Sequence, residues 1–346
     1  MSWTSFTARP ARTAGAGAAA VLALAVTAAP AMAQVEGRFE RTLNVSGTVD
    51  LSVSSGSGSI HVQPGTSGTV RVVGTIRANR WRNWSSSDAA ARVKRIEADP
   101  PVVQEGSRIS IGKTRGDDLY EHISISYEIY APEATIVAAN TGSGSVHIGA
   151  LRGPVTASSG SGSVEVGATG GTVKASTGSG EITVDGAKER VEATTGSGSI
   201  RLRNIAGAAT ANSGSGSIEV EQTAAGPVRL TTGSGGIRAW GIRGELVARA
   251  SSGSIEVQGT PTGPWDLDSS SGSIELRLPA DLAFTLDAHT GSGSINVDHP
   301  IMVQGRIDRR MLRGNVNGGG PTVSASTSSG SIDIDAGGGA GSSKAK

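Results

Sequence analysis

Apolar and polar positions alternate along this chain in short bursts that return at a fixed spacing. The recurring phrase is Gly-Ser-Gly-Ser, or a close variant, followed by Ile or Val, a polar residue and a second aliphatic. Its first aliphatic, the anchor, falls at Ile60, Val146, Val164, Ile182, Ile200, Ile218, Ile237, Ile255, Ile274, Ile295 and Ile332. From Val146 to Ile274 successive anchors stand 18 or 19 residues apart, and Ile295 follows 21 residues after Ile274. Pairs such as Val164/Val166, Ile182/Val184 and Ile200/Leu202 have the period of two expected of a half-buried strand. Nine residues before each anchor a second alternation begins, as in Val155/Ala157, Val173/Ala175 and Val191/Ala193. Each unit therefore predicts two short strands joined by a Gly-Ser turn, with a second loop that closes a coil.

One unit copied at a fixed period buries its apolar face only against its neighbours. The predicted fold is all-β: a parallel β-solenoid, a flattened two-sheet β-helix of about 18 residues per coil. The crossover rule makes it right-handed. The glycines of the turns are expected to supply backbone conformations closed to a residue with a Cβ. The residue between the two anchor aliphatics faces out. Down the stack it reads His147, Glu165, Thr183, Arg201, Glu219, Arg238, Glu256, Glu275 and Asn296, with His61 in the same slot of the first copy. In parallel register such side chains lie about 4.8 Å apart, so Arg201 to Glu256 alternates favourably in sign. Glu256 against Glu275 is a like-charge step that this row does not compensate. Lys174 and Glu192 become neighbours on the opposite face.

The repeat breaks twice. Between Ile60 and Val146, Ser87-Asp88 reads as a helix cap, 89–98 as a short helix ended by Pro100-Pro101, and 108–111 and 123–130 as strands. This segment reads as an α+β capping insertion. Between Ile295 and Ile332, residues 298–321 fit one degenerate coil or a protruding loop. The organisation is then 1–33 a signal peptide, 34–63 a first coil, 64–136 the capping insertion, 137–336 the repeat solenoid and 337–346 a flexible tail.

The signal reading rests on Arg9 and Arg12, an apolar stretch over 16–29, and Ala31-Met32-Ala33 as a small-x-small cleavage site. It implies export to the periplasm or cell surface. No Arg-Arg pair points to the twin-arginine route. Beyond that segment no apolar run is long enough to span a bilayer. The chain carries 31 basic and 30 acidic side chains, and without Arg9 and Arg12 the balance is 29 against 30. This near-neutrality gives no electrostatic reason to expect nucleic acid as a partner. There is no Cys, so disulfides and thiol chemistry are excluded.

Candidate chemistry is sparse. The Gly-x-Gly turns enter strands rather than helices, unlike phosphate-cradling loops. They also carry Ser where a calcium-binding β-roll needs Asp. Asp287, His289, Asp298 and His299 could approach one another at the last contiguous unit and hold a metal, although solvated polar residues are the plainer reading. Glu165, Glu219, Glu256 and Glu275 share a sheet face, the arrangement a polysaccharide-cleaving β-helix would use. Thr141, Thr177, Thr195 and Thr232, with Ser159 and Ser213, form a hydroxyl row of the kind ice-binding solenoids display. Trp81, Arg82 and Trp84 stand out in a chain with 3% aromatics. Exposed tryptophans stack on sugars or anchor protein partners, which makes these three the leading ligand-binding candidates. No residue is assigned a catalytic role, and no metal or cofactor is expected.

Three stretches carry a family resemblance: Tyr127-Glu-Ile-Tyr-Ala-Pro132, the Thr-Gly-Ser-Gly-Ser-Val/Ile turns, and Leu312-Arg-Gly-Asn-Val-Asn-Gly-Gly-Gly320 before Ser-Ser-Gly-Ser-Ile332. The chain resembles the bacterial putative adhesin family, exported envelope proteins with a repeated domain of unknown function, over roughly residues 40–336. The resemblance implies a parallel β-solenoid, export and no assigned catalytic residue. The expected role is a non-enzymatic adhesin or envelope scaffold that binds a glycan or protein ligand. A polysaccharide-active lyase or hydrolase is the alternative.

Overall fold

The computed structural model describes residues 35–78, 86–112, 118–303 and 308–337. The proposed signal peptide, and all but the first residue of the expected tail, lie outside them. Gln34–Lys346 forms one compact unit. Within it two long sheets face each other, one of 14 strands carrying the anchors and one of 15 strands carrying the recurrent alanines. They are called here the anchor sheet and the alanine sheet.

Adjacent coils pair in parallel and without stagger: Val164 meets Ile182, Ile182 meets Ile200, Val173 meets Val191 and Ala175 meets Ala193. Lys174 and Glu192 are direct neighbours. The inward residues Val164, Val166, Ile182, Val184, Ala175 and Ala193 are buried. The coil also has a third inward row. Leu151, Thr169, Ala187 and Ile205 bridge one another in parallel at the closing loop and are buried there, which adds apolar area to what the strand alternation supplies.

The Gly-Ser turns are held from inside. Alternation carried past the alanine makes the next position inward too: Val155, Ala157, Ser159. At that position Thr141, Ser159, Thr177, Thr195, Ser213 and Thr232 each donate to the carbonyl of the second turn glycine one coil back, at 2.8–3.0 Å. Several of the same oxygens accept from the N–H three residues on, as Ser159 Oγ does from Gly162 at 2.8 Å and Ser213 Oγ from Gly216 at 2.8 Å. This hydroxyl row is buried, so it cannot present an ice-binding array.

The turn glycines are needed for closeness. Among the described residues the positive-φ glycines are Gly47, Gly68, Gly106, Gly112, Gly241, Gly318 and Gly319, none of them in a repeat turn. A Cβ on Gly198 would instead sit 1.8 Å from the Gly180 carbonyl oxygen of the preceding coil. The expectation of special backbone angles is thus corrected: stacked turns leave no room for a side chain.

Both ends interleave. Near the N-terminus, Asp50–Ser55 and Ile60–Pro64 make a coil. It pairs inward with Ile136–Thr141 and Val146–Ile148 and outward with Arg108–Gly112 and Ile123–Ala131. Thr69–Ala78 then adds antiparallel to Ile123–Ala131, and Glu36–Asn44 adds antiparallel to it. The helix Ser86–Ala98 packs on these two last strands through Val93 and Ile96. Asp88 in its first turn and Arg95 in its last suit the helix dipole, and Pro100 and Pro101 forbid its continuation.

At the other end the stack departs from chain order. Ile274–Pro279 pairs with the last strand, Ile332–Gly337, and that strand pairs in turn with Ile295–Val297. In the alanine sheet Thr322–Ser329 likewise lies between Trp265–Ser269 and Phe284–Ser292. The expected contact of Glu275 with Asn296 is therefore replaced by Glu275 with Asp333 and Asp333 with Asn296. The return is made at Asn317, Gly318 and Gly319, all at positive φ. Asn317 Nδ2 ties this turn to the carbonyls of Ala280 and Leu282, at 3.1 and 3.0 Å. The described part of 298–321 contains antiparallel strands. Met311–Val316 runs antiparallel to Phe284–Ser292, and Ile301–Val303 antiparallel to Met311–Val316.

Candidate functional site

The solvent face of the anchor sheet carries a continuous row of mostly polar side chains. One side chain per coil projects from it between two buried aliphatics, so the row follows directly from strand alternation. Starting at the capping end, the row runs Glu128, His61, His147, Glu165, Thr183, Arg201, Glu219, Arg238, Glu256, Glu275, Asp333 and Asn296.

Most of its charges are paired between coils. Arg201 reaches Glu181 at 2.6 Å and Glu219 at 3.0 Å, and Arg238 lies between Glu219 and Glu256 at 3.5 and 3.6 Å. Arg277 holds Glu256 at 2.7 Å and also pairs with Glu275. That contact answers the like-charge step. Arg277 sits two residues beyond Glu275, hence on the same face, and its guanidinium spans both carboxylates. The hydrogen bond that Arg201 donates to Glu219, with the charges of Glu181 and Glu219, raises the Arg201 pKa against its partial burial. At Arg277 desolvation is the largest influence and lowers the pKa, but Glu275 and Glu256 together outweigh it and the net shift is upward.

A second outward row lies two residues further along each strand. It includes Tyr130, Gln63, Gly149, Gly167, Asp185, Arg203, Trp240 and Gln258. Gly149 and Gly167 leave a shallow depression of about 340 Å³, walled by His147, Glu165, Asp185 and Arg203. Arg203 pairs with Asp185 at 3.3 Å. Trp240 is half-buried on this face beside a bulge at Gly241.

The proposed binding residues Trp81, Arg82 and Trp84 lie outside the described residues. The four metal candidates do not converge. Asp287 pairs with Arg313 at 2.9 Å, and His299 is buried edge-on against Phe284 with Nε2 3.1 Å from the Pro279 carbonyl. Among the described residues no three His, Cys, Asp or Glu groups surround a common point. The four candidate carboxylates do share one face, each beside a cation or an imidazole. The sequence reading overlooked Glu181, Arg203, Arg277 and Trp240. For Arg277 and Trp240 the signal was present, since both keep the outward parity of the ladder residue two positions earlier.

A family model, Toastrack DUF4097, matches residues 40–335. The chain belongs to the Toastrack family. Its β-solenoid is the family's fold, and the family is a domain of unknown function. Solved structures similar to this chain include a putative cell adhesion protein from Clostridium sporogenes, 12% identical, covering 86% of this chain and 99% of that one at a TM-score of 0.20. A putative adhesin from Bacteroides fragilis is 17% identical, covering 70% and 97% at a TM-score of 0.34. A putative lipid binding protein from Parabacteroides distasonis is 14% identical, covering 85% and 96% at 0.38. No curated protein matches this chain. Among the described residues no helix is long and apolar enough to cross a membrane.

Proposed function

We propose that this Toastrack protein is an exported, non-enzymatic binding scaffold that offers the polar face of its anchor sheet to a glycan or protein of the cell envelope. One observation carries the reading: the ladder carboxylates are engaged between coils. Glu219 and Glu256 each contact two arginines, and Glu165 contacts His147. A general acid needs a carboxyl that can hold a proton near a substrate. Here the carboxylates of Glu219 and Glu256 are instead taken up in ion pairs across the coils. The same ion pairs hold polar groups at a fixed pitch, which suits recognition of an extended ligand. Export rests on residues 1–33, and adhesion on the family resemblance.

Binding of the purified chain to envelope glycans and envelope proteins, arrayed on a surface, tests this reading. An Arg201→Ala/Arg277→Ala variant should lose the captured ligand. A Trp81→Ala/Trp84→Ala variant tells whether those two residues contribute. The polysaccharide-enzyme reading makes the opposite forecast. Product release from acidic glycans that disappears in Glu219→Gln/Glu256→Gln would overturn the scaffold reading.

A further inference from the structure

The second outward row of the anchor sheet changes character along the stack. At Gly149 and Gly167 it has no side chain, and the next two coils carry Asp185 and Arg203. The depression of about 340 Å³ left there adjoins a second of about 250 Å³, and both are lined by Glu165, Glu181 and Thr183. Thr183 lies between Glu165 and Arg201 in the ladder and is short enough to keep that junction open. Three strand spacings beyond Asp185, or about 14 Å, the same row presents Trp240, half-buried. Its cross-strand neighbours are Glu221 and Gln258. The register shifts directly after it, where Gly241 takes a φ of 70°, and such bulges re-aim side chains.

Each part of this strip matches the chemistry of a sugar ring. An indole offers a flat apolar surface with a polar edge, on which the C–H face of a pyranose stacks. Beside it Glu221 accepts hydrogen bonds, and Gln258 both donates and accepts. In the depression acceptor and donor groups come in couples: Glu181 with Arg201 at 2.6 Å and Asp185 with Arg203 at 3.3 Å. Neighbouring sugar hydroxyls each donate and accept, so a carboxylate and a guanidinium side by side serve both. The charges cancel within each couple, which favours a neutral ligand over a polyion. The coil pitch of about 4.8 Å is close to the advance per ring of an extended, equatorially linked glycan. Adjacent coils pair without stagger, so rings that follow one another in a straight ribbon stay on the strip.

We propose that the strip from the Thr183 depression to Trp240 binds a neutral, β-1,4-linked oligosaccharide. Trp240 stacks on one ring, and Glu181, Asp185 and Arg203 hold the hydroxyls of another. A chain of about four rings spans the two subsites at one ring per coil. The assignment rests on the scaffold reading above and narrows its ligand to a glycan. N-acetylated and unsubstituted chains share this chemistry, and the two hexasaccharides below separate them.

The test is calorimetric titration of the purified chain with chitohexaose, with cellohexaose and with their disaccharides, while the indole N–H resonances are followed. At least one hexasaccharide should bind, more than ten-fold tighter than its disaccharide because two subsites are then linked. It should shift the Trp240 indole, assigned through Trp240→Phe. Trp240→Ala should weaken binding more than ten-fold, and Trp240→Phe should keep most of it. Thr183→Arg, which fills the depression from a solvent-facing position, should reduce the hexasaccharide to the affinity of the disaccharide. The indole resonance of the unmodified chain decides the matter even for a variant that folds poorly. No binding of either hexasaccharide at millimolar concentration, equal affinity for the disaccharide, or binding that leaves the Trp240 indole unmoved overturns the proposal. The scaffold reading survives those outcomes if the chain still captures an envelope protein or another glycan, and falls if it captures nothing.

Discussion

At the scale of single residues, the buried hydroxyl row has one gap. The rung that every neighbouring coil fills with Ser or Thr is Ala250, which is buried at 4% exposure. Ala250→Ser should bridge the Gly235 carbonyl and the Gly253 N–H, raising stability by about 0.5–1.5 kcal/mol in denaturant unfolding. Thr195→Ala removes the donor to Gly180 and the acceptor for Gly198 and should cost about 1–3 kcal/mol. The row was legible in outline only. Its residues stand out in the sequence, but their side of the strand shows only when the alternation is carried past the alanine towards the turn. A second residue effect concerns pH. Tyr127 is buried against Phe39, and that burial, with a smaller push from Tyr120, raises its pKa above the ordinary 10.0. The folded state holds the phenol proton more tightly than the unfolded chain, so this contribution is complete below pH 10 and is lost as pH rises beyond it. Unfolding followed from pH 9 to 12 should show an alkaline decline that Tyr127→Phe reduces.

At the scale of elements, register decides which substitutions matter. Ile200 is inward and 1% exposed, so Ile200→Asp buries a charge with no partner and should abolish cooperative thermal unfolding. Arg277 is 41% exposed, and its pairs with Glu256 and Glu275 are screened by solvent. Arg277→Ala should cost no more than about 1 kcal/mol, and the loss should shrink as salt is added. Strands and their facing were readable from periodicity alone, because a one-residue slip would turn every aliphatic outward. The third inward row was not readable, since it lies in the closing loop outside the strand alternation and Thr169 breaks its run of apolar residues Leu151, Ala187 and Ile205. The turn glycines were recognised for the wrong reason: sequence shows that a Cβ is absent, and only the stack shows what it would strike.

At the scale of the whole unit, the sequence predicts stacking but cannot rank equivalent coils at the ends. Every coil offers the same backbone edge, so the order is set by turn chemistry at Asn317, Gly318 and Gly319 and by the antiparallel strands beside it. The candidate site follows the same division. The ladder was visible as a list of outward residues, while its cross-coil clamps and the depression at Thr183 needed the three-dimensional order. Truncation after Gly320 deletes an interior layer rather than a terminal one. It should leave Ile274–Pro279 and Ile295–Val297 without their shared neighbour and abolish cooperative unfolding, measured by calorimetry. The interleaved last coil also bears on how the molecule is made. A solenoid that adds layers in chain order can fold as it emerges, each turn templating the next. Here Thr322–Ser329 and Ile332–Gly337 are a keystone, and the arch around them stays open until these two strands have themselves emerged.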